Sequence, residues 1–172
     1  MNKIKLSIIA GAVAVSVFIP ALAFAGSASS TAGMTKSQCL AAAKLAETKA
    51  NSAAKLAFSA AKTAAADARD KAISDAKDAK ASALTTAASV RATALTGAKA
   101  IADKASRQAA VQSAWDAYMQ AKVAATNALT KAKSDALSAY KDAIQSATDA
   151  HSQAMAASLA AYQSARTACP KK

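Results

Sequence analysis

From Cys39 onward, small residues recur at steps of 4, 3 and 4, which makes a repeat of 11 residues. The first run goes Cys39, Ala43, Ala46, Ala50, Ala54, Ala57, Ala61, Ala65 and keeps those steps to Ala109. A second run starts one residue late, at Ala110, and passes through Ala114, Ala117 and Ala121 to Ser158, Ala161, Ala165 and Cys169. Of the 37 positions, 32 are Ala; the rest are Cys39, Cys169, Val90, Ile101 and Ser158. Steps of three and four trace one face of a helix. Eleven residues in three turns is 3.67 per turn, so the stripe runs almost straight with a slight right-handed drift. Ala is also the best helix former and a poor strand former. The pattern therefore predicts two long helices that approach closely along their Ala methyls.

The slip between the two runs would rotate the stripe by about 100° in a continuous helix, and a reversal of the chain removes that problem. If Cys39 faces Cys169, then Ala61 meets Ala147, Ala72 meets Ala136 and Ala98 meets Ala110, with a turn near Lys104. We expect an all-α chain, a long antiparallel helical hairpin built as an Ala-rich 11-residue-repeat coiled coil and closed by a Cys39–Cys169 disulfide. The expected parts are a helix over 36–102, a turn over 103–106, a helix over 107–168 and a basic tail over 169–172. Asp103 and Ser106 are both candidates for the second helix's N-cap. The competing architecture is one unbroken helix in an antiparallel dimer, with Cys39 of one copy bridged to Cys169 of the other.

Ahead of the helices, Lys3 and Lys5 precede an apolar run from Leu6 to Ile19. Pro20 and the small-x-small triplet Ala23-Phe24-Ala25 follow. This is the pattern of a cleaved signal peptide over 1–25, with an uncleaved anchor as the alternative. A small polar leader over 26–35 comes next. We therefore expect a secreted or periplasmic protein, and two Cys in an exported chain read as one disulfide. Composition agrees with the helical reading. Over 172 residues, 4% are aromatic and there are 4 Gly and 2 Pro, too few for a sandwich, barrel or doubly wound sheet.

Charge separates the two sides of the hairpin. Without residues 1–25 the chain holds 20 Lys and Arg against 10 Asp and Glu, so an anionic partner fits better than a cationic one. Residues one step after each seam position collect the cations: Lys44, Lys55, Lys62, Arg69, Lys77, Lys80, Arg91 and Lys99, with Glu47 as the sole acid. The same side gathers Trp115, Tyr118, Leu129, Leu137, Tyr140, Ile144, Leu159 and Tyr162, and Tyr118, Tyr140 and Tyr162 stand 22 residues apart with His151 between two of them. Residues one step before the seam hold Asp67, Asp75, Asp78, Asp116, Asp135, Asp142 and Asp149.

Three readings of such a face follow. A second copy buries it, making a homo-oligomer with an apolar interface and Lys at the rim. Alternatively its cations and rings meet an anionic membrane or a polyanion such as lipopolysaccharide, wall acids or extracellular DNA. A stress-protective or ice-binding helix is the third, on the column Ala41, Ser52, Thr63, Ser74, Thr85 and Thr96. We expect an exported, non-enzymatic structural or interaction protein of the cell envelope or exterior, self-associating through this face. No catalytic constellation is expected, no metal site or cofactor, and no small-molecule substrate. His151 is the sole histidine, and Gly97 is the sole glycine of the helical body, so no Gly-rich phosphate loop exists.

The stretch Thr63–Ala79, TAAADARDKAISDAKDA, resembles the 11-residue repeats of group 3 late-embryogenesis-abundant proteins and, more loosely, those of exchangeable apolipoproteins. For the former the resemblance implies desiccation protection by a helix that forms on drying or on membranes. The Cys pair and the uncharged seam depart from that pattern.

Overall fold

The computed structural model describes residues 33–171. The signal peptide expected over 1–25, the leader up to residue 32, and Lys172 lie outside the described residues. The chain folds as the expected hairpin of two helices, α1 over Lys36–Lys99 and α2 over Lys104–Ala168.

Helix α1 begins at a reciprocal cap. The Gln38 N–H donates to Thr35 Oγ1 at 3.3 Å, and the Thr35 N–H donates to Gln38 Oε1 at 2.9 Å. Each side chain satisfies an amide that the first turn cannot. At the other end the Ala100 and Ile101 N–H groups donate to the carbonyls of Gly97 and Ala98, tightening the last turn. The connection is 100–103, three residues earlier than the expected 103–106. Asp103 decides this: its Oδ2 accepts the Ser106 N–H at 2.7 Å and starts α2 at Lys104. Arg107 Nη1 then donates to the carbonyl of Ile101 at 3.0 Å, closing the turn without glycine or proline.

Contacts divide the hairpin into two compact units: one holds the chain up to Ala65 together with Ala143 onward, the other Ala66–Asp142. In the first, here the disulfide unit, Cys39 and Cys169 are bonded with their Cα atoms 5.7 Å apart. Ala43, Ala54, Ala61 and Ala65 of α1 are buried there with Ala147 and Ser158 of α2. Ser158 is the one polar member of the seam, and its hydroxyl donates across the helices to the Glu47 carbonyl at 3.4 Å. In the second, the turn unit, Ala98, Ala114, Ala125 and Ala136 are buried.

The buried residues of α2 fall every 11 positions, Ala114, Ala125, Ala136, Ala147 and Ser158, and Cys169 just past its end keeps the step. The whole seam is not enclosed, however. Ala46, Ala79, Val90, Ala94, Ala117 and Ala139 belong to the same series and are exposed. Two thin helices meeting through methyl groups touch along a narrow line, so parts of the 4-3-4 stripe stand clear of it.

Candidate functional site: the basic aromatic side

The two sides of the hairpin differ in burial as well as in charge. In each unit the side one step before the seam is almost entirely exposed. The basic side holds a row of half-buried residues on each helix. On α2 that row is Tyr118, Leu129, Tyr140, His151 and Tyr162; on α1 it is Glu47, Phe58, Arg69, Lys80 and Arg91. Both rows keep the 11-residue step; contacts join Phe58, Arg69 and Arg91 to the α2 row as rungs of a ladder, and Lys44, bonded to Glu47, reaches Tyr162.

In the disulfide unit, Lys44 Nζ bonds Glu47 Oε2 at 2.7 Å and lies 5.3 Å from the centre of the Tyr162 ring. The hydrogen bond to Glu47, and then its charge, hold the Lys44 ammonium above its ordinary value. Phe58 packs on His151 with ring centres 5.1 Å apart, and Lys62 sits 5.4 Å over Phe58. His151 is thus a half-buried ring packed on Phe58. In the turn unit the Arg69 guanidinium lies 4.8 Å over Tyr140 while also pairing with Asp70 at 2.8 Å. Arg91 lies 4.4 Å from both Trp115 and Tyr118, whose rings meet edge to face. Its Nε is buried without a hydrogen-bond partner, so the two rings are what offset its desolvation.

Not all of the residues singled out from the sequence therefore face outward. Arg69 and Arg91 are half-buried against rings and Lys80 is half-buried; Lys44 and Lys62 are exposed with their ammonium groups near rings, and Lys55, Lys77 and Lys99 are exposed. Among the apolar residues, Tyr118, Leu129, Tyr140, Ile144 and Tyr162 are half-buried by the hairpin itself. Trp115, Leu137 and Leu159 remain 44%, 47% and 48% exposed. Sequence reasoning placed Glu47, Arg69, Lys80 and Arg91 on this side but did not pair the α1 row with the Tyr column. The signal was present: Glu47, Phe58, Arg69, Lys80 and Arg91 share the 11-residue step with the Tyr column, and paired positions add to 209, one from the disulfide's 208.

The opposite side is paired in part along each helix. Lys71 and Lys131 bond Asp75 and Asp135, and Gln112 and Gln145 donate to Asp116 and Asp149. In the Thr column, the hydroxyls of Thr63, Thr85 and Thr96 donate back to carbonyls of their own helix. Among the described residues no three His, Cys, Asp or Glu come together as a metal site. No described helix is long and apolar enough to cross a membrane. Comparison of the chain with protein-family models, curated proteins and solved structures finds no match.

Proposed function

We propose that this is an exported, non-catalytic interaction protein of the cell envelope or exterior whose basic side receives an anionic partner. The observation that carries the reading is the separation of charge across the hairpin: on the basic side the one acid, Glu47, is already bonded to Lys44. Lys55 in the disulfide unit and Lys77, Lys99, Lys122 and Lys133 in the turn unit are exposed without an acid in hydrogen-bond or ion-pair contact. Bringing two copies together through that side sets like charges against each other, which costs several kcal/mol. Of the rings that argued for a second copy, Tyr118, Tyr140 and Tyr162 are half-buried with the chain's own Arg91, Arg69 and Lys44 against them, while Trp115, beside Arg91, stays 44% exposed. Both points favour an anionic partner over self-association, the reverse of the order expected from the sequence. Export is supported by the disulfide, which persists in oxidising compartments, together with the n-region and apolar run of residues 1–25.

The test is binding of the oxidised protein to polyphosphate and to phosphatidylglycerol vesicles over a range of salt. Lys55→Glu, Lys77→Glu and Lys99→Glu combined should weaken binding to at least one of them tenfold or more and flatten its salt dependence. Equal binding by this variant and the original chain overturns the reading. Leu137 and Leu159, about half exposed, favour a second reading, lateral association of copies. If Leu137→Asp with Leu159→Asp turns an oligomer seen by light scattering into a monomer, that second reading gains.

A further inference from the structure

An arc of α2 in the turn unit combines bare apolar surface with unpaired cations in a way the ring ladder does not. Trp115, Met119 and Val123 are spaced i, i+4, i+8 and are 44%, 48% and 55% exposed; Trp115 keeps that exposure although Arg91 lies 4.4 Å from its ring, and Met119 and Val123 stand outside the ladder. Met119 and Val123 also line a shallow depression with Gln120, Ala124 and Asn127. Neither Met119 nor Val123 lies on the seam or one step after it, so the 11-residue pattern assigns them no role. On a helix of 3.6 residues per turn, Lys104, Lys122 and Lys133 fall with these three inside an arc of about 100°, and all three Lys are exposed. Asp116 stands at the border of the arc, bonded to Gln112. Acids are scarce around it: from 79 to 134 the chain has eight Lys and Arg and only two acids, Asp103 and Asp116. Asp103 is already committed to the cap of α2.

We infer that this arc docks on the surface of an anionic lipid bilayer, with Trp115, Met119 and Val123 entering the interface and Lys104, Lys122 and Lys133 meeting lipid phosphates. The inference rests on the anionic-partner reading and deepens it by choosing among the partners. A soluble polyanion would use the lysines but has no need of three exposed apolar side chains beside them. A second copy docked through the same arc would set three lysines against three. A bilayer accommodates both halves, because Trp is at home at the headgroup level and Lys stems lie along apolar surface while their charges reach phosphate. Since no described helix can cross a membrane, α2 would lie on the surface.

Trp115 is the only tryptophan, so its fluorescence reports on the arc alone. The full oxidised chain is mixed with phosphatidylglycerol vesicles, with phosphatidylcholine vesicles, and separately with polyphosphate. The expected result is a blue shift of Trp115 emission and quenching by brominated lipid, with phosphatidylglycerol only. Lys104→Glu, Lys122→Glu and Lys133→Glu together should weaken that partition about a hundredfold, and Met119→Ser with Val123→Ser should cut the quenching while leaving helicity intact. Adsorption to vesicles with Trp115 unshifted overturns the arc, because another segment is then the anchor. Polyphosphate binding without vesicle binding overturns the inference and leaves the anionic-partner reading standing. Binding to neither removes both.

Discussion

Ala147 has no exposed surface, and its methyl helps set how near α1 and α2 come in the disulfide unit. A larger side chain has no space there except by pushing the helices apart. Ala147→Leu is expected to destabilise the oxidised protein by about 1–3 kcal/mol, read from denaturant unfolding followed by circular dichroism. Ala79 belongs to the same sequence series yet is exposed, so Ala79→Leu should stay within about 0.5 kcal/mol. Equal effects at the two sites would mean that the seam is buried evenly, against the arrangement described. Ser158, 1% exposed, tolerates burial because its hydroxyl reaches the Glu47 carbonyl.

At the scale of the element, α2 depends on Asp103 for its start. The Ser106 N–H, first of all, holds the Asp103 carboxyl below its ordinary value. A carboxylate lowered in the folded state adds stability that is present above its unfolded value and is lost as pH falls through the folded one. Thermal unfolding midpoints should therefore decline on acidification below about pH 5, with Asp103 contributing to the decline. Asp103→Asn keeps an acceptor at the cap and should decline less steeply than the original chain. Asp103→Ala removes the cap acceptor and should lower the thermal midpoint already at neutral pH. An unchanged acid limb in Asp103→Asn would show that the carboxylate's charge is not what stabilises the cap. Within the helices, the i,i+4 pairs Lys71–Asp75 and Lys131–Asp135 are exposed and each contributes only about 0.3–0.5 kcal/mol.

Across the whole molecule, one covalent link closes a loop with a sequence separation of 130. Loop-closure entropy puts its stabilisation at roughly 5 kcal/mol. Reduction, or Cys39→Ser with Cys169→Ser, should lower the denaturant midpoint by an amount matching that figure. A midpoint unmoved by reduction would mean that the rungs and the seam hold the hairpin unaided. The rungs do offer something: each ring that the half-buried Arg69 or Arg91 covers is worth about 0.5–2 kcal/mol. That cover also removes half-buried Tyr side chains from the surface offered to a partner.

Helix, hairpin and disulfide were legible in the residues because each rests on a repeating local signal, the 4-3-4 spacing of Ala and a Cys at either end of it. The turn was misplaced by three residues because 98–106 carries no glycine or proline, and either Asp103 or Ser106 satisfies a cap on paper; only hydrogen-bond geometry separates them. The burial of Ala147 against the exposure of Ala79 was hidden, since both are the same residue in the same series and differ only in where the partner helix runs. The charge of Arg91 was written in the sequence, but its place between Trp115 and Tyr118 came from the register of two helices packed side by side. Periodicity is a property of one chain segment and can be read there. Which cations stay free for a partner depends on what lies across the seam, and that is decided in three dimensions.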